Sequence, residues 1–106
     1  MAHLSIDVPK EAIAEFCRRW KVAELALFGS VLRDDFGPGS DVDVLVTFAE
    51  DAHWTLFDWV SMVEELKEIF GREVDLLSRR GVEAARNPLR RKAILSSLET
   101  VYVAGH

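Results

Sequence analysis

The sequence predicts an α/β fold, with a small sheet of three to four strands layered with helices. Three observations carry this. Short apolar runs of strand length alternate with longer stretches whose apolar residues recur at helical spacing. Glycine and proline mark the breaks between them. The chain has 106 residues, enough for one core, so residues 1–106 read as a single domain.

The elements follow in order. Asp7 or a neighbour can cap a first helix with Pro9 in its first turn, and Ile13, Phe16, Cys17 and Trp20 form its core stripe. Val22 to Phe28 is short and apolar and reads as a buried strand. Gly29-Ser30 breaks it, and a helical turn is expected over Val31 to Asp34. Phe36 to Ser40 is a turn-rich loop, and Asp41 to Phe48 alternates as a second strand. Trp54 to Phe70 is amphipathic, with Leu56, Phe57, Val60, Val63, Leu66, Lys67 and Phe70 on or near one face and Gly71 placed to end it. Glu73 to Leu77 is a third strand. Val82 to Leu98 reads as helical with a break before Pro88. Thr100 to Val103 is a last strand or a frayed helix.

The formal net charge of −5 argues against a dedicated nucleic-acid binder, which needs a basic surface to neutralise phosphates. The charge is uneven, however. Arg79, Arg80, Arg86, Arg90, Arg91 and Lys92 gather around the single acid Glu83. That run is a solvated helix face or a docking patch for an acidic partner or phosphates. Cys17 is the only cysteine, so no intrachain disulfide forms, which suits the cytoplasm. Its place in the apolar stripe makes it a core thiol. No signal peptide or transmembrane stretch is read, so no membrane is expected. His3, His53 and His106 lack the spacing of metal ligands and read as surface residues. Trp54 and Trp59 need not share a helix face, which leaves one of them available to a partner.

The chemistry concentrates between Leu27 and Phe48. Gly29-Ser30 follows a strand and precedes a helical turn, where bare backbone and free amides can approach phosphate, although a plain turn has the same composition. Asp41 and Asp43 are two apart in a strand and so share a face, while Val42, Val44, Val46 and Phe48 share the other. Two like charges so placed repel unless a cation joins them, and hard oxygen ligands suit Mg²⁺. Leu45 lies on the acidic face, which is therefore not uniformly polar. Asp75 gains meaning if its strand neighbours theirs. It could then act as a general base, with Glu73 as a competitor.

Gly29-Ser30, ten intervening residues and Asp41-Val42-Asp43 together resemble the signature of the DNA polymerase β-like nucleotidyltransferase superfamily. Arg33 and Ser40 match the form seen in its small MNT members, and the resemblance spans nearly the whole chain. It implies a mixed sheet. It implies that Gly29 and Ser30 contact the triphosphate of ATP, that Asp41 and Asp43 bind Mg²⁺ (two ions), and that Asp75 completes the catalytic and metal-binding carboxylate triad. Arg33 would steady the phosphates or the loop. Many relatives have glycine after this arginine, where this chain has Asp34. A domain of this size resembles the antitoxin half of HEPN–MNT pairs, some of which transfer AMP to a tyrosine of the HEPN ribonuclease toxin. Three functions compete: transfer of AMP to a protein hydroxyl, neutralisation of a HEPN partner by binding alone, and transfer to a small molecule or nucleic acid. The intact acid set favours the first. Short length and acidic charge count against the third.

Overall fold

The computed structural model describes residues 8–29, 41–84 and 86–104. They form α1 (Lys10–Arg19), β1 (Val22–Phe28), β2 (Val42–Phe48), α2 (Leu56–Phe70), β3 (Val74–Ser78), α3 (Arg79–Glu83), α4 (Pro88–Ser96) and β4 (Glu99–Val103). One four-stranded sheet has the order β3-β2-β1-β4. β1 runs antiparallel to both β2 and β4, and β2 runs parallel to β3, so the sheet is mixed. The chain's last segment is a strand, paired from Glu24↔Val103 to Leu27↔Glu99. The turn expected over Val31 to Asp34 and the loop from Phe36 to Ser40 lie outside the described residues.

Strand alternation divides the interior in two. Val42, Val44 and Val46 point to one face and pack with Ile13, Phe16 and Cys17 of α1 and Met62 and Leu66 of α2. Leu45 points to the other face and packs with Phe28, Val82 of α3 and Ile94 of α4. This second, smaller layer explains a leucine on the acidic side of β2: helices cover that face only over part of its length.

The helix ends follow from local chemistry. Thr55 and Asp58 form a reciprocal capping box at the start of α2. Gly71 closes that helix with φ 67°, its N–H donating to the Lys67 carbonyl at 2.8 Å. α2 therefore starts two residues later than expected from Trp54. Pro9 occupies the N-cap of α1 itself, with no side-chain cap bond, rather than its first turn. α3 begins at Arg79, earlier than Val82, because Ser78 caps it by accepting from the Gly81 N–H.

The face of α2 differs from the sequence expectation in a way that matters below. The helix meets the sheet through Met62 and Leu66, leaving Leu56, Phe57 and Val60 outside. Its inner side is locked to α1 by Glu65, which pairs with Arg19 and accepts from the Trp20 indole N–H at 2.7 Å. Trp54 packs edge-on to Trp20, and Trp59 edge-on to Phe48, so both are half-buried.

Cys17 is a core residue, and burial pushes its thiol up to about 12, against a smaller opposing pull from Arg18. The thiolate is the nucleophile, so this thiol is inert. Iodoacetamide at mildly alkaline pH should leave the native protein unlabelled and label it once denaturant unfolds it. Prompt labelling of the native chain would contradict the placement of Cys17 in the core.

Candidate active site

The strand register brings together what the sequence left apart. β2 and β3 are neighbours, and Asp43 is the direct partner of Asp75. Partners in a parallel ladder project to the same face, so the two carboxylates stand side by side. On the other flank of β2, Asp43 is the partner of Phe28, the residue before Gly29. Asp41 immediately precedes β2 and is exposed. The Val42 N–H donates to the Glu73 carbonyl at 2.9 Å and fastens the start of β2 to the approach of β3.

Gly29 lies against this group. Its φ is 73°, a left-handed conformation that side chains rarely adopt. A Cβ built there would sit 2.3 Å from the Asp43 Oδ2. Only glycine gives the carboxylate that space, and it leaves bare backbone beside it. Ser30 and Arg33 lie outside the described residues.

Glu73, the competitor of Asp75, is engaged elsewhere. Its carboxylate meets the Lys67 Nζ at 2.9 Å near the end of α2, with Glu64 also 3.3 Å from that amine. The bond from Glu73, followed by that from Glu64, raises the Lys67 amine above its ordinary range. Asp75 is thus the acid of this segment that stays with Asp43.

Among the described residues, no three acidic, histidine or cysteine side chains close up tightly enough to hold an ion by themselves. A divalent cation still fits the donor set. Mg²⁺ is ordinarily held by one or two carboxylates, with substrate phosphate and water completing its shell. Asp41 and Asp43 supply two carboxylates, and the missing side chain at Gly29 is what lets the Asp43 carboxylate stand against the backbone.

The basic run divides in the structure. Arg79 is half-buried. Its Nε donates to the Thr47 hydroxyl at 2.9 Å, and its guanidinium lies 3.7 Å from Glu24, which also accepts from Thr100. It is an internal strut of the sheet, which only the pairing of distant strands reveals. Arg80, Arg86, Arg90 and Lys92 are exposed. Beside them lies a cleft of about 700 Å³ at the far ends of β2 and β3, lined by Thr47, Trp54, Leu56, Trp59, Arg79 and Arg80. It lies away from the acids: Thr47 is six residues along β2 from Asp41, roughly 20 Å at strand rise. His53, on its rim, is exposed as expected, while His3 and His106 lie outside the described residues.

Carboxylates grouped around an accessible glycine backbone are suited to handling phosphate with a cation, the work of a phosphoryl- or nucleotidyl-transferring domain. The chain belongs to the nucleotidyltransferase domain family, whose sequence profile matches residues 9–101. It is accordingly a nucleotidyltransferase. It is similar to the protein adenylyltransferase MntA of Thermococcus cleftensis, 33% identical over 91 residues that cover 84% of this chain and 82% of that one. It is also similar to the solved structure of a candidate minimal nucleotidyltransferase, with a TM-score of 0.64 and 32% identity over 85% of this chain and 86% of the other. A more distant likeness, in fold alone, is to a chain of the complex between a tri-AMPylated Shewanella oneidensis HEPN toxin and its MNT antitoxin. Its TM-score is 0.61, with 19% identity, over 89% of this chain and 69% of that chain. Among the described residues, no helix is long and apolar enough to cross a membrane.

Proposed function

We propose that this chain is a protein adenylyltransferase that moves AMP from ATP to a tyrosine hydroxyl of a HEPN-domain toxin in the cytoplasm, and so acts as its antitoxin. The observation that carries this reading is the register that sets Asp75 beside Asp43, with Gly29 against the same carboxylate. The adenylyltransferase name of the Thermococcus relative and the AMPylated toxin in the Shewanella complex support the choice of reaction and acceptor.

Each residue then has a task. Gly29 and Ser30 receive the triphosphate, and Arg33 steadies it. Asp41 and Asp43 hold Mg²⁺, with Asp75 closing the set from the next strand. When bound, the cation neutralises phosphate charge and stabilises the attacking and leaving oxygens of an in-line displacement. Asp75 takes the proton from the acceptor hydroxyl. The hydroxyl oxygen bonds to the α-phosphorus, the bond from that phosphorus to the bridging oxygen breaks, and pyrophosphate leaves.

Co-expression with a HEPN-domain toxin, followed by intact mass measurement, tests the reading. One or more added AMP units should appear on the partner and vanish when Asp41→Ala and Asp43→Ala are combined. A stable complex without added mass would replace transfer by occlusion. No complex and no added mass would defeat the antitoxin reading and leave the family assignment standing.

A further inference from the structure

We propose that the acceptor protein docks in the groove along the outer edge of β3, between α2 and the α3–α4 pair, through a segment that carries apolar side chains flanked by carboxylates. This rests on the reading of the chain as a protein adenylyltransferase and names the surface that reading requires. Three features define the groove.

The first is shape. A second hollow of about 370 Å³ lies beside the 700 Å³ cleft, and Trp59 and Ser78 line both. Its floor includes Leu76, Leu77, Val82 and Ile94. Among the described residues β3 is an edge strand, paired with β2 alone. The two hollows therefore run as one trough past an open strand edge.

The second is an apolar rim. Leu56 lines the cleft and is 78% exposed. Val60, one turn further along the same side of α2, is 54% exposed. Large apolar side chains grouped in this way mark an interaction site. The apolar content also favours a protein segment over a nucleic acid.

The third is charge. Arg80, Arg90 and Arg91 line the opposite wall, where Glu83 is the nearby acid, in a chain whose net charge is −5. A basic wall steers an acidic partner, and it repels the same wall of a second copy in a two-fold pairing. A standard interface buries about 800 Å² per partner. That is roughly a ninth of the 6947 Å² surface, and the trough with its two rims is the concave region suited to it.

The position serves the chemistry. Leu77 on the trough floor is two residues after Asp75 and so shares its face of β3. A partner segment lying along β3 would bring a hydroxyl to that carboxylate without any separate acceptor-binding domain.

The HEPN protein of the co-expression experiment is the probe. p-Benzoylphenylalanine placed at Leu56 should crosslink to it, and the same group at Val103 on β4 should not. Leu56→Asp should weaken the complex by roughly 30-fold or more, as loss of an interface anchor does. Arg80→Glu combined with Arg90→Glu should weaken it and reduce its salt dependence. Both variants should keep the wild-type affinity for ATP, which shows that the acid end is folded. Crosslinking only at Val103, or unchanged affinity in both variants, would overturn the proposal. So would a wild-type dimer that Leu56→Asp converts to monomer, because the trough would then hold a second copy. A wild-type chain that neither binds nor labels the HEPN protein would fail the functional reading itself, and the docking surface with it.

Discussion

Asp43→Asn is expected to lower AMP transfer by on the order of 1000-fold and to remove the Mg²⁺ dependence of ATP binding. The substitution keeps the shape and loses the charge. Asp43 lies between Asp75 on one strand and Gly29 beyond the other, so no other residue of the group can take its position. A metal that neutralises phosphate charge is worth several kcal/mol in the transition state, and every ~1.4 kcal/mol is tenfold in rate. Asp75→Asn should behave differently. It should leave ATP affinity nearly intact and lower transfer by about 10²- to 10⁴-fold, the usual range for losing a general base. Calorimetry with and without Mg²⁺, run beside a transfer assay, separates the two. Metal-dependent ATP affinity unchanged in Asp43→Asn would refute the metal assignment. Full transfer in Asp75→Asn would move the base to another group.

Gly29→Ala is expected to damage folding and nucleotide binding together. A non-glycine residue at φ 73° costs about 1–2 kcal/mol in backbone strain alone. The new methyl would also overlap the Asp43 Oδ2 at 2.3 Å, so that carboxylate must shift from its place in the proposed cation site. At roughly 4–8 °C per kcal/mol for a domain of this size, Tm should fall by on the order of 5–15 °C. ATP affinity should fall further than stability predicts, because the methyl displaces the carboxylate. A thermal scan and a nucleotide titration on one preparation check this. Wild-type values in both would mean that the backbone does not pass so close to Asp43.

Much of the framework was legible because it rests on strictly local rules. Val22–Phe28 reads as a strand at its true limits, since an apolar run bounded by a helix and Gly-Ser has few alternatives. Alternation places Asp43 within β2, whereas Asp41, expected in the same strand, immediately precedes it. The partnership of Asp43 with Asp75 could be posed from the sequence but not decided, because strand order is a property of the whole sheet. The face of α2 was misjudged for a physical reason. Its apolar residues cover too wide an arc for periodicity to select the buried side, and the grip of Glu65 on Arg19 and Trp20 decides it. Arg79 looked like part of a solvated basic face, and only the approach of Thr47 and Glu24 draws it inward. The trough was invisible for the same reason as the strand order: α2, β3, α3 and α4 each contribute a few residues that mean little alone.

The sheet's order has a consequence for how the molecule opens. β1 and β2 are hydrogen-bonded on both sides, whereas β3 is a five-residue strand held along one edge. Local opening starts where few bonds hold the backbone and reaches doubly bonded strands last. Amide protons beside Asp43 should therefore exchange with solvent far more slowly than those at the free edge of β3. The proposed cation ligand Asp43 rides on a strand bonded on both sides, while the proposed base sits on one of the faster parts. A fluctuation that releases β3 takes Asp75 out of position and leaves Asp43 in place, so the partly opened molecule would still hold nucleotide but could not transfer it.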